Sequence, residues 1–104
     1  MKTTISVRHT EITDDLRQRT NDVLERLGSQ SPHALEATVV FDLDGLNHQV
    51  EIRLHARGGH VLVGTGEGPD HRTALDRAED KVRRQLERDG GGARRARRAA
   101  KPRP

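Results

Sequence analysis

Four cations near the C-terminal end, Arg77, Lys81, Arg84 and Arg88, follow one another at spacings of four, three and four. At about 100° per residue these steps return to one side of a helix, so the four charges form a stripe. Leu75, Ala78, Val82 and Leu86 fall on the opposite side and supply the apolar face that such a helix buries. A solvent-facing row of cations suits a row of phosphates, because each cation neutralises one and releases its counterions. The plainer alternative is an ordinary charged face laced by local pairs such as Asp80 with Arg84, with Asp76 and Glu87 on the same flank as Asp80. A second cationic element follows in Arg94, Arg95, Arg97, Arg98, Lys101 and Arg103, with no acid interspersed. Forked guanidinium groups match phosphate geometry, so this segment reads as an RNA-following arm or else as a solubilising extension. Arg8 is a lone basic residue after a short alternating segment. Arg53, His55 and Arg57 share the polar side of another alternation, where Glu51 beside them favours a plain solvated sheet face.

Other chemistries fit the residues less well. Six histidines are present, and His48, His55 and His60 cluster around one predicted hairpin. No His-x3-His or His-Glu-x-x-His spacing occurs and there is no cysteine, so neither a metal nor another cofactor is expected. Asp14 and Asp15 sit where a helix begins, and capping and dipole effects account for paired carboxylates there. The run Gly64-Thr65-Gly66-Glu67-Gly68 superficially resembles a phosphate loop, but it lacks the following Gly-Lys-Ser/Thr and lies in a strand pattern. No nucleophile stands beside a plausible base. The residues indicate neither an enzyme nor a small-molecule substrate.

Within 104 residues the charge is unevenly placed. Residues 1–89 hold 13 Lys+Arg against 16 Asp+Glu, whereas residues 90–104 hold six Lys+Arg and no acid. The net +3 thus belongs to the tail, and a basic arm on a slightly acidic body is a common footprint of a nucleic-acid partner. The division predicts one folded domain over 1–89 and a Gly/Arg-rich basic tail over 90–104. An anionic membrane would attract the same tail, but no large apolar residue is there to anchor it, and no run approaches a membrane span. A soluble cytoplasmic protein is expected. With one Phe and no Trp or Tyr, the core must be assembled from Leu, Val, Ile and Ala.

Thr3–Val7 alternates as a short strand. Thr13 then offers an N-cap for a helix carrying Leu16, Val23, Leu24 and Leu27, with Thr20 in the missing apolar position and Gly28 as the stop. Ala37, Val39, Phe41 and Leu43 alternate as a strand, Asp44–Asn47 turns, and Val50, Ile52, Leu54 and Ala56 alternate back. Gly58-Gly59 supplies the positive φ angles of a tight hairpin, after which His60–Glu67 returns. Asp70 caps the final helix and Gly90-Gly91-Gly92 ends it. The order β-α-β-β-β-α predicts an α+β fold. A parallel first pair joined by a crossover helix, then an antiparallel meander, makes a four-stranded mixed sheet with both helices on one face.

Several of these segments carry a family likeness. Ile12-Thr13-Asp14-Asp15-Leu16-Arg17 resembles the opening signature of the ribosome hibernation-promoting factor and ribosome-associated inhibitor family, the ribosomal subunit interface proteins, and Arg8 precedes it where that family often has a basic residue. Gly58-Gly59, Glu67-Gly68-Pro69-Asp70, Ala74-Leu75-Asp76 and Asp80–Leu86 extend the resemblance in the same order over roughly residues 3–88. The chain departs from the pattern where the family has aromatics, with Ser29-Gln30-Ser31 after the first helix and His71-Arg72 at the start of the second. A short Arg-rich tail in place of a second domain resembles the family's short form. The resemblance implies a partner in the small ribosomal subunit and its RNA, held where messenger and transfer RNA would bind, so that translation is silenced under stress or in stationary phase. Ribosome dimers would be an indirect consequence. A protein-interaction or dimerisation module that kept the fold and lost RNA binding is the competing expectation.

Overall fold

The computed structural model describes residues 1–31 and 33–88. The predicted tail with Arg94, Arg95, Arg97 and Arg98, and the Gly90–Gly92 stop, lie outside the described residues. The elements run β1 (Lys2–Val7), α1 (Asp14–Ser29), β2 (Ala34–Asp44), β3 (Asn47–Ala56), β4 (Val61–Gly68) and α2 (His71–Leu86). The sheet order is β1-β2-β3-β4, with β1 parallel to β2 and the other two pairs antiparallel. This is the α+β arrangement expected from the sequence.

Strand alternation decides which face is covered. Ala37, Val39 and Phe41 of β2 face the same way as Val50, Ile52 and Leu54 of β3, and all six are buried. They join Val23, Leu24 and Leu27 of α1 and Ala74, Leu75, Ala78 and Val82 of α2 in one cluster. Both helices therefore lie on this face, and the opposite face carries the alternate residues. Thr20 is wholly buried and gives its hydroxyl proton to the Leu16 carbonyl at 2.7 Å, so a polar residue fills an apolar position without an unmet donor. His71 opens α2, near where the resemblance implies an aromatic. It is buried, donates from Nε2 to the Asp42 carbonyl at 3.0 Å and meets Phe41 edge-on at 5.4 Å between ring centres, so the imidazole restores part of the missing core.

The caps follow from side-chain chemistry. The Thr13 oxygen accepts from Leu16 N at 3.1 Å, and the Asp70 carboxylate accepts from Thr73 N at 2.7 Å. Gly28 does not stop α1. The helix continues to Ser29, whose hydroxyl donates to the Arg26 carbonyl at 2.8 Å, and Gln30 is the cap. What Gly28 provides is room, since a Cβ there would stand 2.8 Å from Met1 Cε. Gly58 and Gly59, at φ 78° and 76°, form the tight connection into β4.

Acid should weaken this framework at two carboxylates. The Asp42 carboxylate is held below its ordinary value of 3.8 by the His9 ring 2.9 Å away and by the Leu43 N–H. Thr73 N–H and its hydroxyl do the same for Asp70. A carboxylate more acidic in the folded state than in the unfolded chain adds stability above its unfolded value, and that stability disappears as pH falls through the folded one. Urea midpoints should therefore be level down to about pH 5 and drop below about pH 4. The drop should be smaller in Asp42→Asn, and an equal drop in that variant would remove Asp42 from the account.

Candidate nucleic-acid interface

The second helix is positioned by an unusually close approach to β4. Gly64, Gly66 and Gly68 alternate along the strand and point toward α2, so helix backbone lies almost on strand backbone. A Cβ on Gly66 would fall 2.1 Å from the Ala74 carbonyl oxygen and 2.6 Å from Ala78 N. The glycine run is thus a packing seat for the helix, with no phosphate-cradling loop. On the other flank, α1 and α2 are tied by two ion pairs: Arg19 with Asp76 at 2.7 Å and Arg26 with Glu79 at 3.1 Å. Glu79 is buried, and Arg26 meets it with both Nε and Nη2, which leaves neither carboxylate oxygen without a donor.

These pairs decide what the stripe presents. Arg77, Lys81, Arg84 and Arg88 are all exposed. Of the acids on α2, Asp76 and Glu79 pair with arginines of α1, and Asp76 also lines the groove beside the stripe. Asp80 bridges Arg83 at 2.9 Å and Arg84 at 2.8 Å, the local pair anticipated from the spacing. A pair between exposed side chains contributes only about 0–1 kcal/mol, so Arg84 can exchange Asp80 for a phosphate at little cost. Lys81 has no ion-pair partner among the described residues, and Arg77 donates to a main-chain carbonyl, that of Glu67, at 2.6 Å. The stripe is cationic in effect as well as in count.

Beside it runs a groove of about 750 Å³ between α2 and the free edge of β4, lined by Thr65, Gly66, Glu67, Asp76, Arg77 and Lys81 among others. The sequence did not indicate this edge. Gln85 donates from Nε2 to the Val63 carbonyl at 2.5 Å and accepts from Val63 N at 3.3 Å, while Arg77 takes the Glu67 carbonyl. Side chains of α2 thus occupy the strand's outward hydrogen-bonding groups on either side of Thr65. The alternation of small residues at 64, 66 and 68 against Ala74 and Ala78 was the available signal that helix and edge would touch.

Arg8 stands apart. Its N–H extends the sheet by donating to the Phe41 carbonyl at 2.8 Å, and its side chain borders a hollow of about 350 Å³ on the helix-free face with Asp42, Gln49, Glu51 and Glu67. Three strand spacings, about 14 Å, separate β1 from β4. Arg8 does not line the groove with the stripe, but its hollow and the groove meet at Thr65, Gly66 and Glu67 of β4. Next to it His9 takes a left-handed φ of 57°, held by its ring contact with Asp42. On the same helix-free face Arg53 pairs with Glu51 at 3.0 Å, as a solvated sheet surface would. Among the described residues no three His, Asp or Glu side chains converge as a metal site would require, and no helix is long and apolar enough to cross a membrane.

Comparison with known proteins agrees with this arrangement. Residues 3–90 match the family described as Sigma 54 modulation protein / S30EA ribosomal protein. A ribosome hibernation promoting factor from Pseudomonas putida is 33% identical over 88 residues, covering 85% of each chain. One from Azotobacter vinelandii is 30% identical over 86 residues, covering 83% of this chain and 79% of its own. Among solved structures, a ribosomal subunit interface protein from Coxiella burnetii superposes with a TM-score of 0.80 at 19% identity, covering 88% of this chain and 99% of its own, a likeness of fold. The N-terminal domain of Thermus thermophilus Protein Y gives 0.74 at 31% identity, covering 85% and 98%. With the fold, the matched residues and the relatives in agreement, this chain belongs to the Sigma 54 modulation protein / S30EA ribosomal protein family.

Proposed function

We propose that the protein is a ribosome-associated translation inhibitor that holds small-subunit ribosomal RNA through phosphate contacts along α2. In doing so it occupies the channel for messenger and transfer RNA under stress or in stationary phase. The observation that carries this reading is the exposed stripe of Arg77, Lys81, Arg84 and Arg88, beside which Asp76 and Glu79 have their charges paired with Arg19 and Arg26 of α1. Support also comes from the relatives that share the family, which are named as hibernation factors and belong to no enzyme family. Association with ribosomes implies the cytoplasm as its place of work. Residues 1–89 act as the binding domain, and Arg94, Arg95, Arg97 and Arg98 of the 90–104 segment add a second cationic contact that follows the RNA.

The test is sedimentation. Protein from stationary-phase lysate should travel with ribosomal particles in a sucrose gradient and be stripped from them by salt. The four contacts of the stripe alone predict a slope of log affinity against log salt of about −3, and contacts by the tail arginines steepen it. Protein remaining at the top of a low-salt gradient would instead favour an interaction module that does not bind RNA.

A further inference from the structure

We infer that the groove between α2 and the free edge of β4 receives a single RNA strand and recognises its ribose hydroxyls at Thr65, an inference that rests on the RNA reading above. One wall is electrostatic. Arg77, Lys81 and Arg84 line it at steps of four and three residues, which is about 6 and 4.5 Å along the helix axis, together with Asp76 and Asp80, whose charges are paired with arginines. Steps of this order match consecutive phosphates of one strand.

The other wall is main chain. In an antiparallel edge strand every second residue turns both N–H and C=O outward. Val63 does so, because its N–H and C=O meet Gln85, and the register therefore turns Thr65 and Glu67 outward too. The Val63 pair and the Glu67 carbonyl are occupied by α2 side chains, whereas the N–H and C=O of Thr65 have no protein partner among the described residues. Among the described residues the groove thus offers the open N–H and C=O of Thr65 and the open N–H of Glu67 across from a row of cations, while the Thr65 side chain, alternating with Gly64 and Gly66, lies toward the helix-free face. Blocked on both sides, this edge cannot take a second β-strand. It can take an isolated polar group on a chain of anions.

A ribose 2′-hydroxyl, both donor and acceptor, is such a group, and it separates RNA from DNA. A duplex shows phosphates to the stripe but cannot lower its sugars onto a strand edge beneath the helix. The Glu67 carboxylate near the groove also disfavours a second phosphate line. Phe41, the one Phe in a chain without Trp or Tyr, is wholly buried, and no histidine lines the groove, so no ring there stacks a base and the contact is indifferent to sequence.

Four fluorescent 12-nucleotide probes of one sequence test this by anisotropy at low salt: single-stranded RNA, single-stranded DNA, 2′-fluoro RNA and the RNA duplex. The single RNA strand should bind tightest, with the DNA and 2′-fluoro strands weaker by about five-fold, the effect of one hydrogen bond. Proline is tolerated on strand edges where no ladder bond is lost, so Thr65→Pro should bring the RNA and DNA affinities together without altering the salt slope. Equal binding of RNA and 2′-fluoro RNA, or a duplex bound as tightly as the single strand, overturns the inference. The 2′-fluoro comparison does so on unaltered protein, whatever the variant's folding. If replacing Lys81, Arg84 and Arg88 together with glutamate then removes the protein from ribosomes, the RNA reading stands and only the groove falls. If that triple variant leaves ribosome binding intact, the reading itself has failed.

Discussion

Replacing Lys81, Arg84 and Arg88 together with glutamate should remove the protein from the ribosome-bound fraction while leaving its circular dichroism and urea midpoint close to those of the parent. All three side chains are exposed, and none supports the core. The fold loses only the Arg84–Asp80 pair and gains some repulsion on one helix face, each effect about 0.5 kcal/mol or less. Binding loses far more. Three phosphate contacts disappear, which should flatten the slope of log affinity against log salt by about 2 to 3. Three negative charges then face the RNA, and a loss of at least about a hundred-fold, or about 2.8 kcal/mol, is expected at moderate salt. Arg77 is left in place deliberately, because its bond to the Glu67 carbonyl also closes the edge of β4 and its loss would confuse binding with folding. A triple variant that still pellets with ribosomes at moderate salt would show that the stripe is an ordinary solvated helix face.

The stripe could be read from the sequence because it is a local pattern. Leu75, Ala78, Val82 and Leu86 fix the inward side of α2 by spacing alone, and the four cations are then outward by subtraction. The caps at Thr13 and Asp70 and the hairpin at Gly58-Gly59 were legible for the same reason, since each depends on residues within three or four positions. What sets the stripe's electrostatics was not legible. Arg19 and Asp76 are 57 residues apart, and Arg26 and Glu79 are 53 apart, so only the docking of α1 beside α2 brings these partners together. Without that docking Asp76 and Glu79 would count as local competitors for the cations. The role of Gln85 was hidden likewise, because a glutamine in a charged helix carries no mark of the strand edge it will occupy. Gly28 was misread because a glycine near a helix end usually permits a positive φ, while here the helix passes through it and the missing side chain makes space for Met1.

Gly66→Ala should cost at least about 3 kcal/mol, at or beyond the upper end of ordinary overpacking, although it adds a single methyl group. The reason is the identity of the atoms it meets. The new Cβ would stand 2.1 Å from the Ala74 carbonyl oxygen and 2.6 Å from Ala78 N, both main chain, so no rotamer change relieves the clash and α2 as a whole must lift. Lifting it opens contacts around Leu75, Ala78 and Val82, each wholly buried, in a core with few large side chains to spare. Gly45→Ala is the proper comparison. That residue has φ 63° with nothing within 4 Å of a built Cβ, so it pays only for a left-handed backbone, about 1–2 kcal/mol. The pair separates space from conformation in one urea experiment, and a Gly66→Ala penalty no larger than that of Gly45→Ala would mean that the helix seat is not closely packed. The same variant bears on function without changing any charge. If Gly66→Ala is kept folded at low temperature, the lifted helix carries Arg77, Lys81 and Arg84 away from the β4 edge. Ribosome binding should then weaken even though net charge and the stripe's spacing are intact. Binding equal to that of the parent under those conditions would mean that cations alone suffice and that their placement against the strand contributes nothing.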